Sequence, residues 1–194
     1  MNRERMVTEA VGLQLHTTRL VLRRFEASDT EEAVAQQRDP RIRRWVRAIE
    51  PLEVVRAKVA RFGDPWHGED GEWLAIVVSR REEPGMIGLF AVRIESAADG
   101  IVEIGYTMRV DVQRRGYALE AARHLLAWLL DEVGVRKVVA RCASPNVASY
   151  RLLEKLGMRR EGVLREHCVL DGTLCDELLY GLLARERADP QAGA

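Results

Sequence analysis

The residues best suited to chemistry lie between Glu103 and Ser149. Val102, Ile104, Tyr106, Met108 and Val110 alternate with Glu103, Gly105, Thr107 and Arg109, the two-residue period of a half-buried strand. On its polar face Glu103 is a carboxyl between apolar neighbours, and burial there would raise its pKa towards the range useful to a general base. The other reading of Glu103 is a strand-surface carboxylate paired with an arginine such as Arg93. Gln113-Arg114-Arg115-Gly116-Tyr117-Ala118 comes next. Leu119, Ala122, Leu126, Leu129 and Val133 then repeat at helical spacing, with Gly134 as a left-handed stop. A strand that enters a helix through a glycine turn leaves the helix's first N–H groups free at the positive end of its dipole. That is an anion site, and phosphate is the usual anion. Gly116 allows close backbone approach, Ala118 is too small to obstruct it, and Arg114 and Arg115 add positive charge. The same turn also reads as a tight connection and nothing more. It is no Walker loop, since no Gly-Lys-Ser/Thr follows, and the three-glycine dinucleotide pattern is absent.

Gln113-x-x-Gly116-x-Ala118 between a strand and a helix resembles the acetyl-CoA pyrophosphate loop of the GNAT superfamily of N-acetyltransferases. Asn146-Val147-Ala148-Ser149 followed by Leu153-Glu154-Lys155-Leu156-Gly157-Met158 is similar to a second block of that family, with Met158 in place of the usual aromatic. Three further segments resemble the RimJ/RimL-type branch of ribosomal-protein N-terminal acetyltransferases. They are Thr18-Arg19-Leu20-Val21-Leu22-Arg23, Glu103-Ile104-Gly105-Tyr106 and Asp171-Gly172…Asp176. The resemblance spans about residues 15–186, read as one transferase domain, with 1–14 and 187–194 as flexible termini. It implies an α/β (α+β) fold with a mixed, mostly antiparallel central sheet flanked by helices. Two parallel strands would splay apart around the cofactor.

The implied reaction moves an acetyl group from acetyl-CoA to a primary amine. The acceptor is a protein N-terminus or a small amine such as a polyamine or aminoglycoside. The amine must be neutral to attack, so a base helps, and the resemblance gives that role to Glu103, directly or through water. An α-amino acceptor is the easier nucleophile, with a reference pKa of ~7.7–8.0 against ~10.4 for lysine. The resemblance also implies that Gln113, Arg114, Arg115, Gly116 and Ala118 hold the pyrophosphate. Met108 and Val110 would offer strand backbone, and Asn146 a hydrogen bond, to the pantetheine arm. Many family members carry a tyrosine proton donor where this chain has Leu153, and the branch instead matches Ser149 as the contact to the thioester sulfur. The simpler reading of Ser149 is a helix-start hydroxyl bonded to backbone. Because Leu153 cannot donate a proton, a non-catalytic acyl-CoA-binding sensor is the competing function.

The 194 residues suit a single domain with a sizeable core. Thirty basic and thirty acidic residues cancel, which gives a nucleic-acid binder no support. Cys142, Cys168 and Cys175 lack C-x-x-C spacing and read as reduced thiols in a cytoplasmic protein. No apolar run is long enough to span a membrane, and no metal-ligand cluster stands out. Homodimers are frequent in the resembled branch, so a homodimer is one expectation.

The rest of the chain supplies scaffold. Leu20–Phe25 predicts the first strand, 30–38 a helix ended by Asp39-Pro40, and Glu50-Pro51 the start of a second helix reaching Phe62. The arginines of 41–47, with Trp45, are either a solvated face or the border of the acceptor cleft. Strands follow at 73–78, at 86–94 with a bulge or close approach at Gly88, and at 138–142. A helix runs from Ser144-Pro145 to Gly157, and a hairpin turns at Asp171-Gly172.

Overall fold

The computed structural model describes residues 3–45, 50–83 and 85–187. Among these residues eight strands form one sheet in the order β1-β2-β3-β4-β5-β6-β8-β7. They are β1 (Gln14–His16), β2 (Leu20–Arg24), β3 (Trp73–Arg80), β4 (Met86–Ser96), β5 (Ile101–Met108), β6 (Lys137–Ala143), β7 (Arg159–Leu170) and β8 (Thr173–Leu183). All neighbours are antiparallel except β5 and β6. The helices are α1 (Arg3–Val11), α2 (Thr30–Arg38), α3 (Pro40–Arg43), α4 (Leu52–Ala60), α5 (Tyr117–Ala127) and α6 (Val147–Lys155). No helix is long and apolar enough to cross a membrane, among the described residues.

Strand alternation sends side chains to two cores. Leu74, Ile76, Val78, Val102 and Ile104 pack with Met6 and Ala10 of α1 and with Ala121, Ala122, Leu125 and Leu126 of α5. Ala75 and Val77, on the alternate face, pack with Ala33 and Val34 of α2 and with Val55 and Val59 of α4. The sheet is thus covered on both faces. Cys142 is buried in the first core. At the β3–β4 bulge Gly88 faces Met108, and a Cβ on Gly88 would overlap the Met108 sulfur. The glycine is required by close approach, as its position in a strand suggested.

Several expectations change. Residues 3–11, expected as part of a flexible arm, form α1, because Met6 and Ala10 fall on one helical face and are each 1% exposed. Val110, expected to extend the strand, lies beyond its end in a 3₁₀ turn over Val110–Val112, where its carbonyl accepts the Gln113 N–H at 3.3 Å. The helix after Ser144-Pro145 begins only at Val147, because the Asn146 side chain caps it. Trp73 opens the strand expected at 73–78 but is itself 44% exposed. The expectations for residues 1–2, 46–47, 84 and 188–194 lie outside the described residues.

One register detail shapes the site. Among the described residues β5 and β6 pair at Ile101–Lys137, Val102–Val138 and Glu103–Val139, and the strands then part. The splay expected around a cofactor is present, and Glu103 stands at its apex.

Candidate functional site

The turn into α5 is built around two left-handed residues, Arg114 (φ 61) and Gly116 (φ 81), the latter at the N-cap. This conformation costs an L-residue ~1–2 kcal/mol, and glycine avoids the cost. The first amides of α5 have no partner within the helix and gather at its positive end. Gln113 folds back so that its Nε2 donates to the Met108 carbonyl at 3.0 Å. Gln113 therefore fastens the loop to the end of β5.

Arg19 is the residue that sequence reasoning missed here. Its Nη1 donates to the Arg115 carbonyl at 3.1 Å, and its guanidinium lies 4.5 Å from the centre of the Tyr117 ring. Glu120 anchors it at 2.6 Å and also accepts from the Arg19 N–H and the Thr17 hydroxyl. Burial opposes ionisation of Glu120, but these donors outweigh it and hold its carboxyl below the usual range. The sequence signal was the Thr18-to-Arg23 segment, which carried a likeness but no role.

Asn146 and Ser149 form the opposite wall. Asn146 Oδ1 accepts the Ser149 N–H at 3.2 Å, a cap at the start of α6. That bond uses the amide oxygen and leaves the role of the two N–H donors open to another partner. The Ser149 hydroxyl is 2.9 Å from the Tyr106 hydroxyl, which also approaches the Ser149 carbonyl at 3.3 Å. Tyr106 stacks on Phe90 at 5.3 Å, and burial pushes its phenol well above the usual value. It therefore stays protonated, an oriented hydrogen-bond donor and a poor source of protons. Leu153, where many relatives of this pattern have tyrosine, is core at 1% exposure.

Glu103 faces the other side of the sheet, as alternation with Tyr106 requires. Its side chain is 13% exposed and lies 2.7 Å from Arg93 Nη2 and 3.7 Å from Arg141 Nε. Both arginines also reach Glu95, Arg141 at 2.8 Å. The anticipated Arg93 pairing is thus present. Burial still raises the Glu103 pKa, with Glu95 adding to the rise and Arg93 and Arg141 opposing it. Burial also disfavours ionised Glu95, yet its hydrogen bonds leave its pKa lowered. Glu103 thus holds a proton more readily than an ordinary carboxyl.

Two more features lie on the Glu103 face. A Cβ built at Gly105 would meet nothing within 4 Å, so open space adjoins Glu103. Two residues on, the Thr107 hydroxyl accepts Gln36 Nε2 at 2.8 Å, while Gln36 Oε1 is buried with no partner. A cavity of about 690 Å³ lies further along this side, walled by Val55, Val59, Phe62, Trp66 and Trp73. Trp73, Arg93 and Glu103 are cross-strand neighbours, so Arg93 stands between the cavity and the carboxylate.

A model of the "Acetyltransferase (GNAT) domain" matches residues 19–159. The chain belongs to the GNAT acetyltransferase family. It is similar to YnaD of Bacillus subtilis (strain 168), which is named as an N-acetyltransferase, with 29% identity over 90% of this chain and 99% of that protein. A GNAT-family acetyltransferase from Bacillus anthracis superposes with a TM-score of 0.76 at 25% identity, covering 89% of this chain and 99% of the other. A spermidine N-acetyltransferase from Vibrio cholerae, solved with CoA and spermine, gives 0.76 at 19% identity over 88% and 98%.

The fold expected from the sequence is therefore the fold found. The chain is an N-acetyltransferase, with acetyl-CoA as its donor. Its residues fit that donor. The acetyltransferase has a glycine where the loop backbone turns left-handed, free amides at a helix start for a pyrophosphate, and a gap between two strands for a narrow arm.

Proposed function

We propose that this acetyltransferase acts on a primary amine that reaches the strand gap from the α2 and α4 side, over Gly105. The observation that carries this reading is the position of Glu103, half-neutralised by two arginines at the apex of the splay, with open space beside it. Acetyl-CoA supplies an already activated thioester. Residues 15–186 would form the transferase unit.

The contacts support the following roles. Glu103 accepts the proton that the amine must lose, directly or through one water. Its raised pKa brings it closer to that of the amine, which eases the transfer. Ser149 faces the leaving sulfur. When the Tyr106 hydroxyl donates to Ser149 Oγ, the serine's own proton is free to point at the developing thiolate. Tyr106 is thus a positioning residue. Backbone amides around Gly116, with Gln113, Arg114, Arg115 and Ala118, hold the pyrophosphate. The Met108 backbone and Asn146 hold the pantetheine arm, with the Val110 backbone, in its 3₁₀ turn just past the strand end, beside them.

The RimJ/RimL-type pattern supports acceptors such as a protein N-terminus, a polyamine or an aminoglycoside. Thiol release from acetyl-CoA, measured against peptides, polyamines and aminoglycosides, tests the proposal. Turnover that depends on one amine class names the acceptor. Thiol release indifferent to every amine would overturn the reading.

A further inference from the structure

The β7–β8 hairpin carries chemistry that acetyl transfer does not use. Cys168 and Cys175 stand directly opposite in its register, with their Sγ atoms 2.9 Å apart. Each thiol also reaches the other's backbone carbonyl, at 3.3 Å from Cys168 and 3.5 Å from Cys175. Both thiols are half-buried, within reach of a small solute. Opposed residues on antiparallel strands keep their Cα atoms ~4.5–5.5 Å apart, inside the ~4.4–6.8 Å that a disulfide accepts.

Backbone geometry fixes the opposition. Asp171 (φ 48) and Gly172 (φ 77) are both left-handed, the signature of a two-residue type I′ turn, and that turn sets the register of the strands it joins. Cys142, buried on β6 opposite Leu178, belongs to another pairing.

We propose that Cys168 and Cys175 form a reversible redox modification site. They close to an intrachain disulfide by exchange with a low-molecular-weight disulfide. Cys175, as its thiolate, attacks one sulfur of the small disulfide and releases one small thiol, leaving a mixed disulfide. Cys168 then gives its proton to solvent and attacks the Cys175 sulfur, releasing the second small thiol. Two protein thiols are oxidised and one small disulfide is reduced to two thiols, so no further oxidant is needed. Excess small thiol reverses both steps. A cysteine pair of this kind in a reducing compartment is transient rather than structural.

The resolving step depends on freeing the Cys168 proton. Burial, then the neighbouring Cys175 thiol, then Glu177 and Asp176 push the Cys168 thiol up to about 12. The contribution of the Cys175 thiol disappears once that sulfur carries the small thiol, so Cys168 is suited to the second step. Closure is therefore slow at neutral pH and accelerates as pH rises. The site is also wired to the cofactor side. Asp176 accepts the Ser144 N–H on its carbonyl at 2.8 Å and the Glu166 N–H on its carboxylate at 2.9 Å. Ser144 opens the loop that leads to Asn146.

The test equilibrates the full chain with glutathione and glutathione disulfide at graded ratios, quenches by alkylation, and maps peptides without reduction. Both cysteines fall in one tryptic peptide, 166–185, bounded by Arg165 and Arg185. The expected result is loss of two hydrogens from that peptide in a monomeric chain, recovered by excess reduced glutathione, with Cys142 alkylated only after unfolding. In Cys168→Ser the mixed disulfide on Cys175 should accumulate, since nothing resolves it. Cysteines that stay fully alkylatable at the most oxidising ratio would overturn the proposal. So would a disulfide found only between chains, or a Cys168→Ser protein that traps no adduct.

Discussion

Replacing Glu103 by glutamine removes the proposed base while keeping its size and most of its hydrogen-bonding shape. General-base catalysis contributes about 10²–10⁴-fold, so kcat for the amine should fall by that factor, about 3–5 kcal/mol on the barrier. Fold damage should be small, because Arg93 and Arg141 keep Glu95 as a partner. The expected shift in Tm is within about 2–4 °C, and acetyl-CoA affinity by calorimetry should be unchanged. The pH profile separates a base from a structural carboxylate. The base works deprotonated, so kcat/KM for the amine falls as pH drops through the Glu103 pKa. Burial and Glu95 raise that pKa, so this acid limb lies above the ordinary carboxyl value. Glu103→Gln should lose the limb and keep only the limb due to the amine itself. Glu95→Gln supplies the sign test. It removes a group that raises the Glu103 pKa and leaves both arginines acting on Glu103 alone, so the limb should move to lower pH. A Glu103→Gln enzyme with near-normal kcat, or a limb that moves upward in Glu95→Gln, refutes the reasoning.

Other perturbations probe the remaining walls. Tyr106→Phe removes the hydroxyl bonded to Ser149, a bond worth ~0.5–1.5 kcal/mol, so kcat should drop about threefold to tenfold with KM for acetyl-CoA unchanged; steady-state kinetics decide. Gly105→Leu fills the open space beside Glu103 and should cut kcat/KM for the amine by at least about tenfold, while calorimetry shows the donor still binding. Gly116→Ala forces a side chain into a left-handed backbone at a cost of ~1–2 kcal/mol, so it should lower Tm and raise KM for acetyl-CoA together. Met6→Ala should lose ~2–5 kcal/mol in denaturant unfolding, since α1 docks through that side chain; a loss near zero would mean α1 adds nothing to the core.

Local signals are plain in the chain. The Thr30–Arg38 helix, the left-handed Gly134 and the alternation of β5 all follow from spacing or backbone chemistry within a few residues. The contacts that define the site are of another kind. Tyr106 meets Ser149 across 43 positions, and Arg19 meets Arg115 across 96, so no window on the chain displays them. Residues 3–11 misled because their mean hydropathy is low. Met6 and Ala10 bury one narrow stripe while Arg5 and Glu9 stay polar on the same helix. Val110 misled because apolar alternation runs one step past the last ladder bond, and nothing in residue type marks that end. Glu103 was legible both as a buried carboxyl and as a partner of Arg93. Both readings hold, because a carboxyl can be paired and still be short of water.

The three-pair contact between β5 and β6 divides the sheet mechanically as well as chemically. Five strands lie on one side of that seam and three on the other. Only three pairs bridge it, as few as hold the edge strand β1 to β2, so within the body of the sheet partial opening should begin at the seam, and amides beyond Glu103 and Val139 should exchange with solvent before those of β3 and β4. A donor lying along both parted edges acts as a splint. It couples two subsheets that otherwise fluctuate separately, and it makes cofactor concentration a variable of stability: at a hundredfold excess over Kd the folded state gains about 2.7 kcal/mol. Hydrogen exchange with and without acetyl-CoA should show protection spreading outward from the seam into both subsheets.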